Sequence, residues 1–377
     1  MAVPAALRRA VAIQSLSNAG TSAVALFIPL LAHRLGASAW ELGLIGASFG
    51  GALFVSAYVF GRAADQGRRR HLIRLGMAAC AFAAPLHAFA TDPSGLALAR
   101  GLFGFASGIY PAALISYAYD ANRRPGRFAG WGALGWGVGT LGAGLLGDDP
   151  LVFWASAALL LAALGFALRL EPRPEARLKV SWFPREVIAT NLPAYLAMLF
   201  RHTGAAAVWV IFPLYLVQLG ASPLWIGVLY FLNTGTQFLF MGWLDRFAAR
   251  DLVLAGLVTS AVVFVLFYLA PTWEVLLPVQ VLLALSWGTL YVGTLAWVME
   301  HNVERATSSG LLQSTQSLAG VVGPLLGGLV AHAGGYGATM LFAAAMSLLA
   351  VPLFLASARR VERRQRAARD VVVPAER

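Results

Sequence analysis

Twelve apolar runs, each about as long as a bilayer is thick, leave this chain few ways to fold. They cover roughly residues 11–32, 40–60, 71–91, 94–119, 128–147, 150–168, 188–218, 223–244, 251–270, 273–299, 308–331 and 336–357. A helix crosses hydrocarbon in about 20 residues. A dry bilayer offers no partner to an unpaired backbone N–H or C=O, so spanning segments are helices or closed barrels. These runs are too long and too continuously apolar for barrel strands. With 59% hydrophobic and 12% charged residues, the expectation is an all-α integral membrane protein and not a pair of soluble domains.

The formal net charge of +11 invites a nucleic-acid partner, but its placement argues against one. Counting runs from an inside start, the inner segments hold Arg8, Arg9, Arg62, Arg68 to Arg70, Arg74, Arg123, Arg124, Arg127, Arg169, Arg173, Arg177, Lys179, Arg185, Arg246, Arg250, Arg305 and the arginines from Arg359 onward. Arg34 alone falls in an outer loop, and Arg100 and Arg201 lie within apolar runs. That asymmetry predicts both termini in the cytoplasm and an inner-membrane location. The segment from Arg359 is expected as a basic tail, solvated or touching anionic lipid. Cys80 is the single cysteine, so no disulfide framework exists. Arg8 and Arg9 before an apolar run mimic a signal peptide, but no small-residue cleavage site follows.

The chain also repeats itself. An offset of 184 aligns Leu35-Gly36-Ala37-Ser38 with Leu219-Gly220-Ala221-Ser222, and Gly20, Pro29 and Gly43 with Gly204, Pro213 and Gly227. After a four-residue deletion, an offset of 180 aligns Asp65 with Asp245, Gly76 with Gly256, Asp120 with Glu300, Asn122 with Asn302 and Gly147 with Gly327. Two parallel six-helix halves are therefore predicted: 1–170 and 187–358, a proline-punctuated cytoplasmic linker at 171–186 and a tail at 359–377.

Between the second and third runs lies Gly61-Arg-Ala-Ala-Asp65-Gln-Gly67-Arg-Arg-Arg70, a G-x-x-x-D turn followed by arginines. With the parallel repeat, this loop resembles the signature loop of the major facilitator superfamily. Gln66 stands where that family usually has a cation, whereas the second copy, Gly242-Trp-Leu-Asp245-Arg246, keeps the Asp-Arg order. Arg100-Gly101 is similar to the Arg-Gly pair in the fourth helix of the drug:proton antiporter branch, and the likeness implies that Arg100 couples proton movement to substrate release. The acid that such exporters keep on the first helix has no counterpart here, and Gly323-Pro324 carries in the second half a Gly-Pro pair that they carry in the first. The resemblance implies a major facilitator fold of 12 transmembrane helices in two pseudo-symmetric six-helix bundles, working as a monomer by alternating access. Asp65, Arg69, Arg70 and Asp120, with Asp245, Arg246 and Glu300, would form cytoplasmic latches that close the inside while the outside is open.

Helical spacing predicts which polar groups face the space between the halves. Gln14 and Asn18 share a stripe on the first run; Asn233 and Gln237 share one on the eighth; Gln280, Trp287 and Tyr291 lie on the tenth, and Gln313 and Gln316 on the eleventh. Trp136 and Gln316 are repeat mates, so both should line the cavity. Small polar groups also bond between helices, and that alternative stays open for the first run. Arg100, Arg201 and His202 are the deep ionisable groups, and no carboxylate accompanies them. His202 is a candidate proton carrier, because imidazole titrates near neutral pH, or else a hydrogen-bonded structural residue. Arg100 either serves coupling or snorkels to the outer edge.

The expected activity is secondary transport of a small organic solute, leading with proton-coupled efflux. Import of an organic anion or sugar is the alternative in the same fold, and a non-transporting receptor or lipid-handling protein the alternative of another class. No phosphate loop, metal-ligand cluster or nucleophilic triad is present in the sequence, so neither enzymatic activity nor a cofactor is expected.

Overall fold

Every apolar run becomes helix. The computed structural model describes residues 5–37, 39–146, 150–173 and 177–372, and no strand occurs among them. The first half contains α1 (Ala5–Arg34), α2 (Ala39–Ala63), α3 (Arg69–Ala83), α4 (Pro93–Ile109), α5 (Pro111–Asn122), α6 (Pro125–Leu146) and α7 (Leu151–Leu168). The second contains α8 (Arg185–Gln218), α9 (Pro223–Leu244), α10 (Ala249–Leu269), α11 (Leu276–Glu300) and α12 (Arg305–Val372). By length and apolarity alone, Leu44–Phe89, Pro93–Asn122, Leu151–Leu168, Ala249–Leu269, Leu276–Glu300 and Arg305–Val361 can cross a bilayer, the first and last as two helices each. α1, α6, α8 and α9, of 30, 22, 34 and 22 residues, supply the remaining spans. The chain is a multi-pass membrane protein of twelve spans.

Three local features depart from a simple run-to-helix mapping. The fourth run is broken at Tyr110, where Pro111 removes a backbone donor and α5 restarts. α12 comprises two spans that part at Gly335, whose φ of 74° interrupts the helix. The third run ends in a 3₁₀ turn, Ala84–Phe89, that holds His87 fully buried. α8 begins at Arg185, inside the expected linker, and the expected tail continues as helix to Val372. Linker residues 174–176 and tail residues 373–377 lie outside the described residues.

The halves meet along α2 against α12 and α6 against α9. Glycine makes the first approach possible: a Cβ on Gly61 would stand 2.9 Å from the Ala306 carbonyl, and one on Gly310 2.5 Å from the Ala57 carbonyl. At the second, a Cβ on Gly126 would collide with the Met241 carbonyl. Within the first half, α6 lies as closely on α1, Gly135 against Ser15 and Gly139 against Ala19. The crowding of glycine on α6 thus serves two neighbours at once.

The linker is strapped to the first half. The Leu178 N–H donates to the Asp65 carbonyl at 2.9 Å, and Arg62 Nε donates to the Val180 carbonyl at 2.8 Å while its guanidinium lies 4.2 Å over Trp182. Gly67, at φ 84°, lets the Arg177 side chain pass where a Cβ would stand 2.9 Å from it.

Candidate functional site

A cavity of about 640 Å³ lies between the halves, lined from α1, α2, α4, α5, α6, α8, α9, α11 and the first part of α12. α3, α7 and α10 contribute no lining residue among those described. Gln14, Asn18, Trp136, Arg201, His202, Asn233, Gln237, Trp287, Tyr291, Gln313 and Gln316 all face it. The repeat mates Trp136 and Gln316 are both in its wall, as their shared register requires.

One expected lining residue, Gln280, and one coupling candidate, Arg100, stand elsewhere. Gln280 is buried at 1% exposure away from the lining, and its backbone carbonyl accepts from Asn233 Nδ2 at 3.3 Å. It shares the helical face of Trp287, seven residues on, but stands one turn before Leu283, the first described lining residue of α11. Arg100 is also absent from the lining; its guanidinium lies 4.2 Å over the ring of Phe49, which does line the cavity. Arg100 Nε and Nη1 are buried without a hydrogen-bond partner among the described residues. It is packed, not snorkelling: its exposure is 7%. His87 is packed as well, stacked on Phe153 with ring centroids 5.4 Å apart.

On the second half's wall the amides form a chain, with Gln237 Nε2 donating to Asn233 Oδ1 at 2.6 Å. Arg201 Nε donates to Ser260 Oγ at 2.8 Å, and Ser260 and Ser286 share a hydrogen bond of 2.6 Å. The Arg201 guanidinium lies between Phe264 and Trp287, 5.6 and 5.2 Å from their ring centroids. The His202 ring packs 5.3 Å from Trp287, which in turn stacks on Tyr291 at 5.4 Å. On the opposite wall, Asn18 Nδ2 donates to the Gly132 carbonyl at 3.0 Å. No Asp or Glu is found among the described lining residues, and no cluster able to hold a metal ion occurs among the described residues.

Below the cavity, on the arginine-rich side, two carboxylates cross between the halves. Asp65 is fully buried and accepts from the N–H groups of Ala306 and Thr307 at 3.1 and 2.7 Å and from Thr307 Oγ1 at 2.7 Å, with Arg69 at 3.5 Å. Asp245 accepts from the N–H groups of Gly126 and Arg127 at 2.6 and 2.9 Å. Each aspartate therefore binds the first turn of a helix in the other half, where unpaired N–H groups and the helix dipole favour an anion. The two contacts are related by the same offset of 180 on both sides. Burial pushes both carboxyls above the usual range, against the hydrogen bonds from Thr307 and Ala306 in one case and from Gly126 and Arg127 in the other.

Asp120 bridges Arg69 at 2.6 Å in its own half and Arg305 in the other. Arg305 and Thr307 have no place among the sequence candidates, although a cation and a hydroxyl at the start of a helix are the signal for them. Three expected partners do not join. Arg70 and Glu300 form no ion pair among the described residues, and Glu300 is exposed. Arg246 lies 5.4 Å over Trp243 of its own half, not on a group of the opposite half. The repeat explains Glu300: the positions matching Arg69 and Arg305 are Ala249 and Pro125, so its two cations are missing.

A family model described as Major Facilitator Superfamily matches the chain twice, at residues 10–193 and 194–376. No curated protein matches. Among solved structures, the human organic anion transporter MFSD10 (TETRAN) superposes with a TM-score of 0.81 at 17% identity, covering 93% of this chain and 100% of that one. A mutant of the nucleoside transporter NupG superposes with a TM-score of 0.67 at 16% identity, covering 93% of this chain and 99% of that one. Two tandem family matches over a twelve-span, two-bundle fold with a central cavity make the conclusion plain: the chain belongs to the Major Facilitator Superfamily of membrane transporters.

Proposed function

We propose that this transporter carries small organic solutes of neutral or negative charge through the central cavity by alternating access, as a monomer in the inner membrane with both termini in the cytoplasm. The observation that carries the reading is electrostatic: Arg201 and His202 line the cavity, and no described lining residue is an acid. A desolvated cation without a counter-charge attracts an anion and repels a lipophilic cation. One structural neighbour carries organic anions and the other nucleosides, but at 17% and 16% identity the likeness speaks to fold, so the lining is what supports the substrate class.

Proton-coupled efflux remains the proposed direction, with Arg100 and Arg201 shaping the field and His202, the one imidazole among the described lining residues, as the group able to carry the proton. Asp65, Asp245 and Asp120, with Arg69 and Arg305, are the proposed cytoplasmic latches. They hold the inner side shut and release when the halves rock. In proteoliposomes, Arg201→Ala should abolish accumulation of an organic anion, whereas equal wild-type transport of a lipophilic cation overturns the reading. A pH jump decides direction: solute moving against the proton gradient supports efflux, and solute following protons supports import.

A further inference from the structure

The two walls of the cavity are chemically unequal. The second half contributes the ionisable groups, Arg201 and His202, while the first half contributes neutral ones such as Gln14, Asn18 and Trp136. Arg100 adds to the field but not to the wall, because Phe49, over which its guanidinium lies, is the residue that lines the cavity there.

Arg201 is held as a rigid donor. Ser260, fixed by Ser286, takes its Nε, and Phe264 and Trp287 flank its plane, yet Nη2 is buried without a partner among the described residues. His202 Nδ1 is likewise buried and unpartnered, and its ring shares Trp287 as a neighbour. A buried N–H without an acceptor is destabilised until a ligand supplies one, and His202 Nδ1 is such a donor in the forms of the ring that carry a hydrogen there. Here the two unpartnered nitrogens sit on consecutive residues beside one indole. Across the cavity, Trp136 is 41% exposed and no charged group joins it among the described residues of the first half's wall.

We propose that the cavity takes a solute with one anionic head and an uncharged, aromatic body, the head on Arg201 and His202 and the body against Trp136. This rests on the reading of the cavity as the transport site. A second anionic group at the far end would lose its water against a wall with no cation, a cost that neutral amides only partly offset. A ring gains by packing on an exposed indole. Ser260 is then a positioning residue: it touches no solute but fixes the guanidinium that does.

The test is equilibrium binding to the full chain in lipid nanodiscs, with 2-naphthoate, 2,6-naphthalenedicarboxylate, cyclohexanecarboxylate and 2-naphthylmethylammonium as probes. 2-Naphthoate should bind at least about tenfold more tightly than the dicarboxylate. Arg201→Gln should weaken 2-naphthoate by about tenfold or more. Ser260→Ala should weaken it by about three- to tenfold, with Ser260→Thr restoring it, a rescue that a mere packing role does not produce. Trp136→Leu should abolish the preference for 2-naphthoate over cyclohexanecarboxylate. Equal binding of mono- and dicarboxylate, or an unchanged ring preference in Trp136→Leu, overturns the proposal while leaving an anion transporter intact. If the ammonium probe binds as well as 2-naphthoate, the anionic reading of the cavity itself fails.

Discussion

Asp65 and Asp245 occupy equivalent positions in the two halves and bind equivalent helix ends, yet they are not equally held. Asp65 is fully buried, with three hydrogen bonds and a nearby guanidinium, and Arg69 extends it to Asp120 and Arg305. Asp245 is half-buried with two backbone donors, and Glu300, the repeat mate of Asp120, is unpaired among the described residues. The helix-terminus contact is what the repeat kept, and the ion-pair network was elaborated on one side only. In a rocking transporter the weaker contact opens first, so the α6–α9 seam should part before the α2–α12 seam.

That order is breakable by experiment, read as the distance between spin labels on Arg68→Cys and Val303→Cys, at exposed sites on either side of the seam. Asp65→Ala should have the largest effect, since it leaves three buried donors without their acceptor, while Arg69 keeps Asp120. About 3 kcal/mol, or about 100-fold in the closed-to-open ratio, is expected. Asp245→Ala removes a two-donor cap near Arg124 and Arg127 and should shift the ratio by about 1–2 kcal/mol; a larger effect than Asp65→Ala inverts the proposed order. Arg305→Gln, at a half-exposed pair, should cost about 0.2–1 kcal/mol, and more than this would make the network, not the helix ends, the main restraint.

The smallest effect should come from pH. Both aspartates are pushed up by burial in the closed form and relax toward ordinary values when the inner side opens. Closing therefore takes up protons, so acidification favours the closed form and raising the pH favours the open one. The shift should vanish in Asp65→Asn combined with Asp245→Asn; its persistence there would locate the proton elsewhere.

Helical spacing and the internal repeat made the fold and most of the cavity wall legible. Trp136 and Gln316 could be placed because a repeat fixes the register of two helices at once. Gln280 could not, since a polar residue on an apolar helix faces either a cavity or a neighbouring helix, and periodicity does not distinguish them. The cross-half contacts are legible in the sequence only in part, Asp65, Arg69, Asp120 and Asp245 but not their partners across the seam, for a sharper reason. Reading charges suggests side-chain partners such as Arg70, Arg246 and Glu300, whereas Asp65 and Asp245 are held mainly by backbone N–H groups, which every residue but proline carries. The helix starts that present those groups, at Arg305 and Pro125, have to be recognised as ends before their partners can be.

The docking of residues 178–182 on the first half sets a mechanical limit. Because Leu178 and Val180 are bonded to the Asp65 turn and α8 begins at Arg185, the slack between the bundles is residues 181–184. Four residues pay out at most about 14 Å when fully drawn. The leash is short enough to stop the bundles from drifting apart once every contact across the seam has let go.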